Sequence, residues 1–182
     1  RSGAKIPSYI NEKGEYNWKS DEMQQKVLKD AFCMIQSTDQ HFYNTVFSVS
    51  PPYFMTYSGS STGNKTAADD NLRWDCYKDF TDYFLNVASY IHDTLHIPVT
   101  DIEPVNEPTS GYWVYGSQKQ EGCQFNRITQ PEVHQNYFDP AADPYNPDSY
   151  SALSKIYEIT GRELAQRQKI GKLAGVIISG TD

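Results

Sequence analysis

The residues of this chain best suited to chemistry stand together at Asn106-Glu107-Pro108, directly after Asp101-Ile102-Glu103-Pro104-Val105. That run reads as a short buried strand stopped by proline, and it opens into the aromatic loop Thr109-Ser110-Gly111-Tyr112-Trp113. A carboxylate buried within a strand is unfavourable, whereas at the C-terminal lip of a parallel strand it meets both pocket and solvent. Glu107 is therefore a candidate general acid or base. The bland alternative is an ordinary strand-to-turn exit, because Asn-Glu-Pro alone is a weak pattern. Trp113, one loop-step beyond, either stacks on a ligand face or packs the loop onto the body of the fold. Phe54, Met55 and Tyr57 pose the same choice between lining a pocket and plugging the core, with Met55 better suited to plugging.

Composition narrows the classes of partner. The chain has 182 residues, 38% hydrophobic and 21% charged, enough for one packed domain and too polar for a membrane span. Its 14 tyrosines favour wet stacking surfaces, of which sugar clefts are one kind. A net charge of −7 without a basic run argues against nucleic acid. Cys33, Cys76 and Cys123 lack metal-ligand spacing, which excludes an ordinary zinc site and leaves room for one disulfide with a spare thiol. Asn64-Lys65-Thr66 matches an N-glycosylation acceptor and hints at secretion.

Several elements must position Glu107. Residues 1–20 read as a surface loop. Apolar positions from Met23 to Ile35 recur at helical spacing, so a helix is expected over 20–36, with Asp21 and Glu22 complementing its dipole. Residues 43–49 read as a strand stopped by Pro51-Pro52, and 53–71 as a loop too polar to be buried. A second helix is expected within 72–96, barred by Pro98, followed by the strand leading to Glu107. After an aperiodic stretch over 111–147, a helix over 148–169 with a kink at Gly161 and a strand over 174–179 complete the reading.

Helices alternating with strands signify βαβ units and a parallel sheet. Without a glycine-rich phosphate-binding pattern, part of a (β/α)8 barrel is preferred over an open, flavodoxin-like sheet. A whole barrel takes about 250 residues, so the chain is expected to be a piece of one.

Four motifs carry a family resemblance. They are Ser50-Pro51-Pro52-Tyr53-Phe54-Met55-Thr56 with Ser58-Gly59-Ser60, then Asn71-Leu72-Arg73, then Glu103-Pro104-Val105-Asn106-Glu107-Pro108, then Gln120-Glu121-Gly122-Cys123. In this order they resemble glycoside hydrolase family 30, and within it most of all the endo-β-1,6-galactanase group, over about Ile6 to Asp182. The resemblance implies a (β/α)8 TIM barrel with a side β-domain, of which residues 1–182 would span about the third to the fifth strand. Strands six to eight and the side domain would lie elsewhere. It further implies a secreted, retaining, endo-acting hydrolase of a β-linked polysaccharide or oligosaccharide, with neither cofactor nor metal. Glu107 would be the general acid/base, Asn106 would bind the sugar 2-hydroxyl, and Tyr53, Phe54 and Trp113 would shape sugar subsites. The nucleophile would be a Glu on the seventh strand, outside the chain; Glu103, inside a strand, and Glu121, in a loop, are not drafted for it. Competing readings are a non-hydrolytic carbohydrate-binding barrel and a related β-glycanase acting on β-1,6-glucan or glucosylceramide-like substrates. A partial barrel leaves sheet edges and apolar strand faces uncovered, so the segment is expected to belong to a longer polypeptide and to aggregate when isolated.

Overall fold

The computed structural model of the chain describes residues 7–67, 69–117, 121–125 and 152–180. Three short strands, β1 (Thr45–Phe47), β2 (Asp101–Glu103) and β3 (Ile177–Ile178), form a parallel sheet in the order β1-β2-β3. The register pairs Val46 with Ile102 and Ile102 with Ile178. The chain passes from β1 to β2 through α2 (Tyr77–Ser89) and from β2 to β3 through α3 (Ala152–Lys169), while α1 (Glu22–Gln36) precedes the sheet. Among the described residues the sheet is three-stranded, not a closed barrel. The expected helix start at 148 and the prolines of 139–147 lie outside the described residues.

The helices form where apolar spacing allows one face to be buried. Tyr77, Phe80, Phe84, Leu85 and Ala88 recur at i, i+3/i+4 intervals, and all five are buried. Phe84, Leu85 and Ala88 pack with Leu164 of α3 against Val46 and Ile102, so both crossover helices cover the same face of the sheet. A second core joins Tyr77 and Phe80 to Ile156, Val105, Cys123 and Phe125, and this core underlies the loops at the strand ends. Beyond α2 the chain widens into a π-helical turn over Tyr90–Thr94, with Leu95 N donating to the Tyr90 carbonyl at 2.9 Å, short of Pro98. α3 runs through Gly161 without a break.

Strand alternation sends Thr45, Phe47, Asp101 and Glu103 to the other face of the sheet. Within the described chain nothing covers that face fully: Phe47 is 50% exposed and Ile177, in register with Asp101, is 62% exposed. α1 is helical as its spacing predicts, yet none of its residues is buried, and Met23, Val27 and Met34 project into solvent.

Three expectations need correction. The segment 53–71 is not a solvated surface loop: Thr56, Ser60, Thr62, Asn64, Asp70 and Asn71 are buried. Burial is tolerated because side chains stand in for a backbone ladder. Asn71 Nδ2 donates to the Ser60 carbonyl at 2.9 Å, Ser58 Oγ to the Gly63 carbonyl at 2.7 Å, and Asn64 Nδ2 to the Asp70 carbonyl at 2.8 Å. The Asn64 amide is therefore committed to the fold and buried, which is not the setting of a glycan acceptor. All three cysteines are free, Cys33 exposed and Cys76 and Cys123 buried, so no disulfide forms among them.

Candidate active site

The parallel strands deliver their following loops to one edge of the sheet, as the expected architecture requires. β2 ends at Glu103, and Glu107 stands four positions later in the loop punctuated by Pro104 and Pro108. Its backbone is left-handed, with φ of 40°, a conformation that disfavours a side-chain-bearing residue by roughly 1–2 kcal/mol. Such strain persists where surrounding contacts over-determine it, and functional sites are frequent hosts. Two donors hold the Glu107 carbonyl, the Ser110 amide at 3.1 Å and Trp113 Nε1 at 2.9 Å. The Tyr112 hydroxyl donates to Glu107 Oε2, and this bond to a carboxylate raises the tyrosine's pKa by favouring its neutral form.

Trp113 is fully buried. A sugar-stacking role needs an exposed ring face, so the packing alternative describes its place. A Cβ on Gly122 would fall 2.2 Å from Trp113 Cδ2, and one on Gly63 would fall 2.2 Å from the Trp113 carbonyl carbon. Two glycines from separate loops thus enclose the tryptophan. The 121–125 segment is strapped down in turn by Phe125 N to the Pro108 carbonyl at 2.8 Å and Gly122 N to the Ser61 carbonyl at 2.9 Å. Tyr112 meets the Trp113 ring edge-on at 4.5 Å between centroids.

Asn106 is half-buried beside Glu107, and no hydrogen bond engages its amide among the described residues. Tyr53 and Phe54 sit in a 3-10 turn after β1 and pack edge to face at 5.5 Å. Phe54 leans on the core that includes buried Met55, which plugs it as its sequence context suggests. The Tyr53 hydroxyl donates to the Glu12 carboxylate. Both aromatics line an open cleft of about 1230 Å³ that Ser61 and Glu121 also border, whereas Asn106 and Glu107 do not line it. The structure therefore brings Asn106, Glu107 and Trp113 together and sets Tyr53 and Phe54 on a separate wall. Glu121 lies in a loop, as the sequence suggests, and is buried there. Reasoning from sequence missed the roles of Gly63 and Gly122; the Gln-Glu-Gly-Cys motif marked the latter without revealing that its missing side chain admits an indole. Among the described residues no group of three or more His, Cys, Asp or Glu side chains is placed to hold a metal ion.

Residues 4–135 match the family model described as O-glycosyl hydrolase family 30. The chain belongs to that family. Membership implies a TIM-barrel-like fold, of which the described residues form a three-stranded parallel part. A solved structure with the same fold is that titled "Crystal structure of conserved exported protein from Bacteroides fragilis", similar at a TM-score of 0.62 and 23% identity. The match covers 93% of this chain and 27% of that one, so the family 30 chain spans about a quarter of the length of its structural relative. No curated protein matches. No helix among the described residues is long and apolar enough to cross a membrane.

Proposed function

We propose that this chain is part of the catalytic barrel of a retaining, endo-acting glycoside hydrolase of β-linked glycans, β-1,6-galactan first among them. Glu107 serves as general acid/base, Asn106 binds the hydroxyl neighbouring the reacting carbon, and the nucleophilic carboxylate comes from a part of the protein beyond these residues. The carrying observation is the pinned, left-handed Glu107 beside the unengaged Asn106 amide at the C-terminal edge of a parallel sheet, in a chain of this family. Tyr53 and Phe54 line a cleft that Glu107 does not, so any sugar they hold lies away from the bond being cleaved. The exported relative fits a polysaccharide substrate outside the cell.

In this reading the nucleophile attacks the anomeric carbon while the Glu107 proton passes to the glycosidic oxygen, whose bond breaks to release an alcohol. The two carboxyl groups lie about 5–5.5 Å apart in such enzymes. Water then attacks the glycosyl ester, surrenders a proton to Glu107, and restores both carboxyl groups with the product's configuration retained.

Glu107→Gln in the full-length protein tests this. It should leave glycan binding intact while reducing turnover of the natural glycan by about 10²–10⁴-fold. Azide should partly restore turnover of an aryl glycoside. Unchanged hydrolysis by the purified variant removes Glu107 from the mechanism, and a wild-type protein that binds β-glycan without cleaving it supports the binding-barrel reading.

A further inference from the structure

We propose that Trp113 is a positioning residue for Glu107, acting through its indole N–H on the Glu107 carbonyl, with Gly63 and Gly122 as the seat that fixes the indole. This rests on the reading of Glu107 as acid/base. An acid can protonate a glycosidic oxygen only from a narrow range of positions, and the direction of the Glu107 side chain is set by a backbone in a sparsely populated conformation. The Ser110 amide closes a local turn on the Glu107 carbonyl, but a local turn does not anchor that turn to the rest of the protein. The 2.9 Å bond from Trp113 Nε1 adds the tertiary anchor, because the indole is enclosed.

The seat is built from two independent loops. Gly122 leaves room for the ring where a Cβ would overlap three indole carbons at 2.2–2.5 Å. Gly63, at φ of 130°, lets the backbone of its loop touch that of Trp113. Tyr115 N to the Asn64 carbonyl at 2.7 Å and Gly116 N to Thr62 Oγ1 at 3.0 Å fasten the same contact from the far side. At the other end of Glu107, the Tyr112 hydroxyl reaches Oε2 while its ring rests against the indole. The adjacent Tyr112 and Trp113 thus hold the carboxyl and the carbonyl of one residue. A tryptophan that only filled space would need its rings and not its N–H.

The test compares Trp113→Phe, Gly122→Ala and Glu107→Gln in the full-length protein on two substrates: the β-1,6-galactan, whose leaving sugar needs protonation, and an aryl β-galactoside whose phenol leaves without it. Misplacing an acid by about 1 Å lowers turnover by about 10²-fold. Trp113→Phe should therefore lower kcat on the glycan by about 10–100-fold with KM changed by less than about threefold. The first-turnover release of phenol should stay within about threefold of wild type, and azide should accelerate steady turnover as it does for Glu107→Gln. Equal losses on both substrates, or full glycan activity in folded Trp113→Phe, overturn the proposal. Should Trp113→Phe not fold, Gly122→Ala, which displaces the indole, carries the same comparison with the same outcomes. If Glu107→Gln itself lacks the leaving-group signature, the assignment of Glu107 fails; if Glu107→Gln has it and Trp113→Phe does not, the positioning role alone fails.

Discussion

Replacing Gly63 by alanine separates close backbone approach from backbone conformation. At Gly63 an added Cβ would lie 2.2 Å from both the carbonyl carbon and oxygen of Trp113 and 2.5 Å from the Val114 nitrogen. Ordinary carbon contacts are about 3.5–4.0 Å, so one segment must retreat by more than about 1 Å. These are backbone atoms, and they cannot escape by changing rotamer. The retreat opposes the Asn64–Val114 bridge and the 2.7 Å bond from Tyr115 N to the Asn64 carbonyl. Overpacking typically costs about 1–3 kcal/mol, and alanine in a glycine-only region about 1–3 kcal/mol more. The expected loss is roughly 2–6 kcal/mol, a large part of a stability of about 5–15 kcal/mol. Gly59 is the control, with φ of 68° and nothing within 4 Å of its Cβ, so Gly59→Ala should lose only about 1–2 kcal/mol. Urea unfolding of both variants in the full-length protein reads the difference. Equal midpoints for Gly63→Ala and Gly59→Ala would refute the close contact with Trp113 and, with it, the enclosed seat of the indole.

Other perturbations have definite outcomes. In native protein at pH 8, a thiol-alkylating reagent should modify Cys33 and spare Cys76 and Cys123, with all three reacting in denaturant, as read by peptide mass spectrometry. Burial raises the pKa of the Cys123 thiol, so its neutral form belongs to the fold: this contribution is complete below the unfolded value near 8.5 and is lost as pH climbs toward the raised folded value, and Cys123→Ala should flatten the alkaline fall in stability. The Arg73 hydrogen bond lowers the pKa of Asp75, which gives stability present above the unfolded value near 3.9 and lost in more acid solution; because both side chains are nearly half exposed, Asp75→Asn should lose under about 1 kcal/mol at pH 7 by thermal melting. Phe80→Ala, at a fully buried position, should cost about 3–5 kcal/mol in urea unfolding. Peptide mapping after expression in a glycosylating host should return Asn64 unmodified, in keeping with its buried amide.

Local pattern determined the elements around the site. The period of Tyr77, Phe80, Phe84 and Ala88 specified α2 and its buried face, a β-branched and aromatic run specified β1, the proline-stopped run Asp101-Ile102-Glu103-Pro104-Val105 specified β2, and the alternation of helices with strands specified a parallel sheet. The proline-stopped strand end singled out Glu107 and its neighbour Asn106 as candidates, and the structure places both in the loop directly after β2. Strand lengths were overread: residues 43–49 read as a strand, whereas the ladder pairs only Thr45–Phe47 with Asp101–Glu103. Composition also misjudged residues 53–71: their polarity signals solvent unless one knows that Asn64, Ser60 and Asn71 find hydrogen-bonding partners within their own loop. The fate of Trp113 was beyond sequence for a related reason. An indole suits a sugar face and a protein interior equally well, and only the meeting of Gly63, Gly122 and Glu107, distant in sequence and joined by tertiary packing, turned it inward.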